Sequence, residues 1–173
     1  MQALYAGEEN RARELLRADA ELSIFEAAAF GRIERLKELV AGDGSLVSAM
    51  SSDGFTPLHL AMFGKQEAAV RALIAGGADL NVLSQGPVAR VPPLGTGVFV
   101  RAPALVRVLL EAGADVNARF GDGSVALHTA AINGDEDLIK LMLEYGGDRT
   151  VRNQQGNRPS DLARDERIRN LLA

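Results

Sequence analysis

Apolar residues fall along this chain in short stripes at helical spacing, divided by turns rich in glycine, aspartate and asparagine. Leu58, Ala61 and Met62 form one stripe, and Val70, Leu73 and Ile74 form the next. Such spacing, with apolar residues three and four apart, is the pattern of an amphipathic helix. Ile33, Leu36, Leu39 and Val40 repeat it upstream, and Leu138, Ile139, Leu141, Met142 and Leu143 repeat it downstream. The borders of these stripes are marked as well. Thr56 before Pro57 predicts an N-cap followed by a proline in the first turn, where its missing N–H has no intrahelical partner to lose. Gly76-Gly77 predicts a helix end that takes up a left-handed backbone. Asp135, Glu136 and Asp137 crowd one predicted first turn, where negative charge suits the helix dipole.

The turns recur too. Gly77-Ala78-Asp79-Leu80-Asn81 returns as Gly113-Ala114-Asp115-Val116-Asn117 and, shortened, as Gly146-Gly147-Asp148. Gly113 and Gly146 are 33 residues apart, and a fixed period of that size marks a stacked repeat array. Together with Thr56-Pro57-Leu58-His59, these phrases resemble the ankyrin repeat, and the wording is similar to that of small bacterial ankyrin-repeat proteins. The resemblance covers nearly the whole chain and is most specific over 53–153. It implies an all-α ankyrin-repeat solenoid of stacked helix-turn-helix units, with hairpin-like fingers that carry little regular strand. The expected domain is a single one, 1–173. It divides into an abbreviated N-terminal repeat (1–21, with Leu4, Ala12, Leu15 and Leu16) and full repeats at 22–52 and 53–85. A degenerate third repeat (86–121), a fourth (122–154) and a capping repeat (155–173) follow.

The third repeat departs from the pattern. Pro92-Pro93-Leu94-Gly95 stands where Thr-Pro-Leu-His is expected, Gly97 replaces a helix alanine, and Pro103 opens the outer helix. Gly77 and Gly113 are 36 residues apart, which places three extra residues between Val82 and Val91. Two glycines inside a helix each cost about 1 kcal/mol relative to alanine. This repeat is either held by its neighbours or leaves a groove where a partner backbone approaches. In the second repeat, Gly64-Lys65 puts the inter-helix glycine one residue early.

Composition narrows the chemistry. The chain has 173 residues, 47% of them hydrophobic, with no cysteine and two histidines. That excludes disulfides, a CxxC redox pair and a thiolate metal site, and no HExxH spacing occurs. The N-terminal twenty residues lack the apolar core of a signal peptide, so a soluble, cytoplasmic protein is expected. The formal charge of −4 argues against generic nucleic-acid binding, which depends on neutralising phosphates. His59 and His128 occupy the same repeat position. The resemblance therefore implies that they tie neighbouring turns together through the backbone and the capping threonine. Asp79, Asp115, Asn81 and Asn117 also recur with the repeat and read as loop geometry. No catalytic arrangement or phosphate loop stands out, so neither an enzyme nor a cofactor or metal requirement is expected.

The resemblance implies protein–protein recognition on a concave face made by inner helices and finger tips. Phe30, Phe63, Phe99 and Ile132 are expected at corresponding positions there, and a row of exposed apolar residues is an interface signal. Arginines in the later fingers, Arg90, Arg119, Arg152 and Arg158, with Arg101 near the inner face, suggest an acidic partner surface. The residues expected to bind are Met50, Phe55, Phe63, Arg90, Phe99, Arg101, Arg119, Phe120, Ile132 and Asn133. The alternative is an anion- or nucleic-acid-binding module built on the arginine-bearing fingers.

Overall fold

The computed structural model describes residues 22–86 and 90–173. The abbreviated repeat expected over 1–21 and residues 87–89 of the expected insertion lie outside the described residues. Four helix pairs follow one another: α1 (Ile24–Ala29) with α2 (Ile33–Gly42), and α3 (Pro57–Phe63) with α4 (Glu67–Ala75). Next come α5 (Pro93–Phe99) with α6 (Pro103–Glu111), and α7 (Ala126–Asn133) with α8 (Glu136–Glu144). A 3₁₀ turn, Pro159–Leu162, and α9 (Glu166–Leu171) end the chain. Among the described residues there is no strand, and no helix is long and apolar enough to cross a membrane.

These helices are too short to persist alone; isolated helices below about twelve residues are marginal in water. Stacking holds them. The inner helices α1, α3, α5 and α7 pack in series, with α7 against the Pro159–Leu162 turn, and the outer helices α2, α4, α6 and α8 form a second row. Leu36, Leu58, Leu73, Leu109, Leu127 and Leu138 are all fully buried between them, each contributing roughly 1.5–3 kcal/mol. Side chains cap several of the helix starts, Thr56 as the sequence predicts. Thr56 Oγ1 accepts from His59 N (3.4 Å), Asp135 Oδ1 from Leu138 N (3.1 Å) and Asp165 Oδ1 from Ile168 N (2.8 Å). In place of a Gly-Ala-Asp phrase the first repeat has a 3₁₀ turn, Gly44–Ser48, capped by Asp43 and anchored by buried Val47.

The fingers are joined edge to edge. Gln85 N donates to Gly54 O (2.7 Å), Gly121 N to Arg90 O (2.7 Å) and Gln154 N to Asp122 O (3.0 Å). Below them, Asn81 Oδ1 accepts from Asp115 N (2.9 Å) and Asn117 Oδ1 from Asp148 N (2.8 Å), so each asparagine binds the next repeat. Three fingers close over four residues, by Ser51 N to Phe55 O, Phe120 N to Ser124 O and Asn153 N to Asn157 O. The finger that opens the third repeat is instead closed by Ser84 N to Val91 O, at 2.9 Å.

Between inner and outer helices, one residue per repeat takes a left-handed backbone: Gly31 (φ 65°), Lys65 (φ 54°), Arg101 (φ 51°) and Gly134 (φ 66°). This register corrects one expectation. Phe30 precedes its left-handed residue directly and so aligns with Gly64, Val100 and Asn133. Ala29, which is buried, is the residue that matches Phe63, Phe99 and Ile132. Gly64 comes early because the position after it is filled by Lys65. The glycine has its own role, since a Cβ there would strike the Ala29 carbonyl oxygen of the preceding repeat.

Candidate partner-binding face

The best-matched residues are engaged in holding the stack. His59 is fully buried, with Nδ1 accepting from Thr56 N (3.3 Å) and Nε2 2.9 Å from Val91 O. A backbone N–H pointing at Nδ1 requires that nitrogen to be unprotonated, so Nε2 carries the hydrogen and donates to Val91 O. Burial pushes this imidazole down from 6.5 to about 4, and the Val91 hydrogen bond opposes the shift. His128 repeats the arrangement, accepting from Val125 N (3.1 Å) and reaching Asn157 O (3.0 Å). Each histidine therefore links the start of its own inner helix to the next finger. Both are spent on structure.

Gly95 occupies the histidine position of the third repeat, and the space is filled from the other side. A Cβ built on Gly95 would lie 2.6 Å from Phe120 Cζ. The Phe120 ring, expected on the binding face, instead turns inward over Gly95 and packs on the core. The space beside Gly97 is taken by Met62 Cε, with Val106 close by. Neither glycine leaves an open groove, which corrects that reading of the third repeat. One polar group in this helix is poorly served. Thr96 is 5% exposed and its hydroxyl has no hydrogen-bond partner.

The arginines are also partly committed. Arg119 Nη1 donates to Gly123 O (2.9 Å) in its own finger and to Arg152 O (3.1 Å) in the next. Arg152 Nη1 donates to Gly156 O at 2.6 Å and lies 3.9 Å from Asp161. Arg101 Nη2 donates to Asn133 O (3.1 Å), which occupies the Asn133 carbonyl at the end of α7. The stem of Arg90 lies over Gly121 of the following finger. Asp148, which bonds Thr150 and has Arg119 nearby, is held below the usual carboxylate range, first by the Thr150 hydrogen bonds. The finger row is thus a set of braces with mixed charge, and all four of these arginines remain exposed at the surface.

Exposed apolar area gathers elsewhere. Phe99, the last residue of α5, is 66% exposed, and Ile132 near the end of α7 is 42% exposed. Phe63, the last residue of α3, is partly buried and stacks on Phe99 with ring centroids 6.5 Å apart and planes at 26°. Met50 and Phe55 are partly buried, and the Phe55 ring meets His59 edge-on at 5.8 Å, so it is no free finger tip. Of the expected residues, then, Phe63, Phe99, Arg101, Ile132 and Asn133 come together at the ends of the inner helices. Lys65 belongs with them. Sequence reading passed over it because its left-handed backbone is normally a glycine's. Tyr145, 37% exposed, caps the outer helix α8 and lies outside this group.

Models for the ankyrin repeat match residues 53–85, and for ankyrin repeats in many copies residues 102–143. The mitochondrial disaggregase of Bos taurus is 27% identical over 152 residues, which is 88% of this chain and 22% of that protein. The B-cell lymphoma 3 protein of Homo sapiens is 33% identical over 133 residues, 76% of this chain and 29% of that protein. The chain therefore spans less than a third of the length of these curated relatives. Among solved structures, the ankyrin repeat domain of Bcl-3, a member of the IkappaB protein family, superposes with a TM-score of 0.80 at 29% identity. That superposition covers 86% of this chain and 66% of the other.

Proposed function

Because the chain is an ankyrin-repeat protein, a fold whose repeats generally serve as protein–protein interaction modules, we propose that it is a non-catalytic scaffold that binds a protein partner. The partner sits on the concave face formed by inner helices and fingers, centred on the ends of α3, α5 and α7. The observation that carries this reading is Phe99, a phenylalanine left two-thirds exposed (66%) and stacked on a second ring where a helix end could hold a polar residue at no cost. Buried aromatic anchors dominate binding energy at protein interfaces. The arginine-bearing fingers supply the polar rim. The anion- or nucleic-acid-binding alternative has weaker support, since Arg119 and Arg152 donate to finger carbonyls.

The test is Phe99→Ala. Its thermal unfolding should stay within a few degrees of the parent, while capture of a protein partner from host lysate is lost. A fall in stability of several kcal/mol would make the ring part of the core, as large-to-small core changes predict. Undiminished capture would remove Phe99 from the site.

A further inference from the structure

Two of the four inter-helix loops are built differently from the other two. The left-handed position is glycine in the first and fourth repeats and a cation in the second and third, Lys65 and Arg101. A side chain in that conformation costs backbone energy that glycine avoids. Two residues earlier, the same two repeats carry phenylalanine, Phe63 and Phe99, where the first has buried Ala29 and the fourth Ile132. Ring and strained cation therefore occur together, twice, in adjacent repeats. Backbone strain of this kind concentrates where function holds it in place.

The surrounding charges are set for a carboxylate. Glu67, which follows Lys65 closely in sequence, is paired with Arg71 at 2.9 Å along α4. The third repeat opens its outer helix with Pro103-Ala104 and has no acid there. Arg101 spends Nη2 on Asn133 O (3.1 Å), which holds the guanidinium at the end of α7 while its fork keeps further N–H donors. In the fourth repeat the same stretch is Asp135, Glu136 and Asp137. Glu136 is paired with Lys140 and Arg167 at 2.6 Å each and Asp135 caps α8, so the cations that could meet an acidic ligand at this edge are those of repeats two and three.

Resting on the protein-binding reading above, we propose that this edge docks an acidic segment of the partner protein. An apolar side chain of that segment lies on the Phe63–Phe99 pair, and flanking carboxylates reach the Lys65 ammonium and the Arg101 guanidinium. The rings supply buried area. The cations supply selection and register, since a like-charged segment is repelled from the same place.

The probes are two fluorescent peptides of equal length, one carrying phenylalanine flanked by glutamates and one with lysines in their place, followed by anisotropy at low salt. The glutamate peptide should bind the parent chain and bind Lys65→Gly/Arg101→Gly and Phe99→Ala at least about tenfold more weakly. The lysine peptide should bind neither. The double glycine variant should unfold at no lower urea concentration than the parent, which separates lost binding from lost folding. No binding of the glutamate peptide by the parent at about 0.1 mM, equal binding by parent and double variant, or displacement by inorganic phosphate at constant ionic strength overturns the proposal. Lysate capture separates the two levels. A partner lost with Phe99→Ala and retained with the double glycine variant sinks the acidic segment alone, and a parent that captures nothing counts against protein binding itself.

Discussion

Acidification from pH 7 to 4.5 should strip this protein of stability through one buried imidazole. His59 accepts a backbone N–H at Nδ1, so a proton there would set two donors against each other inside the stack. Its folded value is depressed from 6.5 to about 4 by burial. Because the folded value is the lower one, the unfolded chain binds the extra proton between these limits. The contribution is complete above pH 6.5, falls as the pH drops, and is gone below about pH 4. At about 1.4 kcal/mol per tenfold change in proton affinity, the interval is worth about 3 kcal/mol, most of it lost by pH 4.5. Urea unfolding at a series of pH values, in the parent and in His59→Gln, isolates the effect. Carboxylates titrate alike in both proteins, so the difference between the two curves belongs to His59. The gap should close by about 3 kcal/mol on acidification. Parallel curves, or an NMR titration of the ring with a midpoint near its ordinary 6.5, would refute the tautomer and the burial argument together.

Other substitutions test the packing. Thr96→Val removes a buried hydroxyl with no partner and keeps the shape, so the urea midpoint should rise by an amount equal to about 1 kcal/mol. Gly95→Ala alone forces the Phe120 ring aside and should destabilise by about 1–3 kcal/mol. In a Phe120→Ala background the same change should reverse sign and stabilise by up to about 1 kcal/mol through helix propensity, which a double-mutant cycle reads directly. Gly64→Ala meets the backbone oxygen of Ala29, a group that cannot rotate away, and should cost about 1–3 kcal/mol in the same assay.

What could be read in the sequence was whatever repeats. The helix pairs, the Thr56 cap and the bracing histidines each appear as a pattern, and the structure has them where the spacing puts them. The failures share a cause, which is that they depend on contacts between repeats. Phe120 reads as an exposed finger aromatic until Gly95, 25 residues earlier in sequence, is seen beneath it. Phe30 and Phe63 each precede a glycine, yet they are out of register, because Lys65 and Arg101 take the left-handed position that Gly31 and Gly134 hold in the other repeats. Arginine in a finger advertises charge, but the sequence does not say that Arg119 reaches the carbonyl of Arg152 in the next finger.

The exchange of histidine for Gly95 under Phe120 also bears on how such an array can change its length. Where His59 and His128 brace the next finger, any neighbour with a backbone carbonyl in place will serve, and repeats of that kind can be duplicated or deleted singly. The third and fourth repeats lack that freedom. Copying the second repeat into the place of the third would drive a histidine against the Phe120 ring, and deleting the third would leave that ring facing a histidine of the second. These two repeats travel through recombination, or through a designer's hands, as one unit of about twice the usual period.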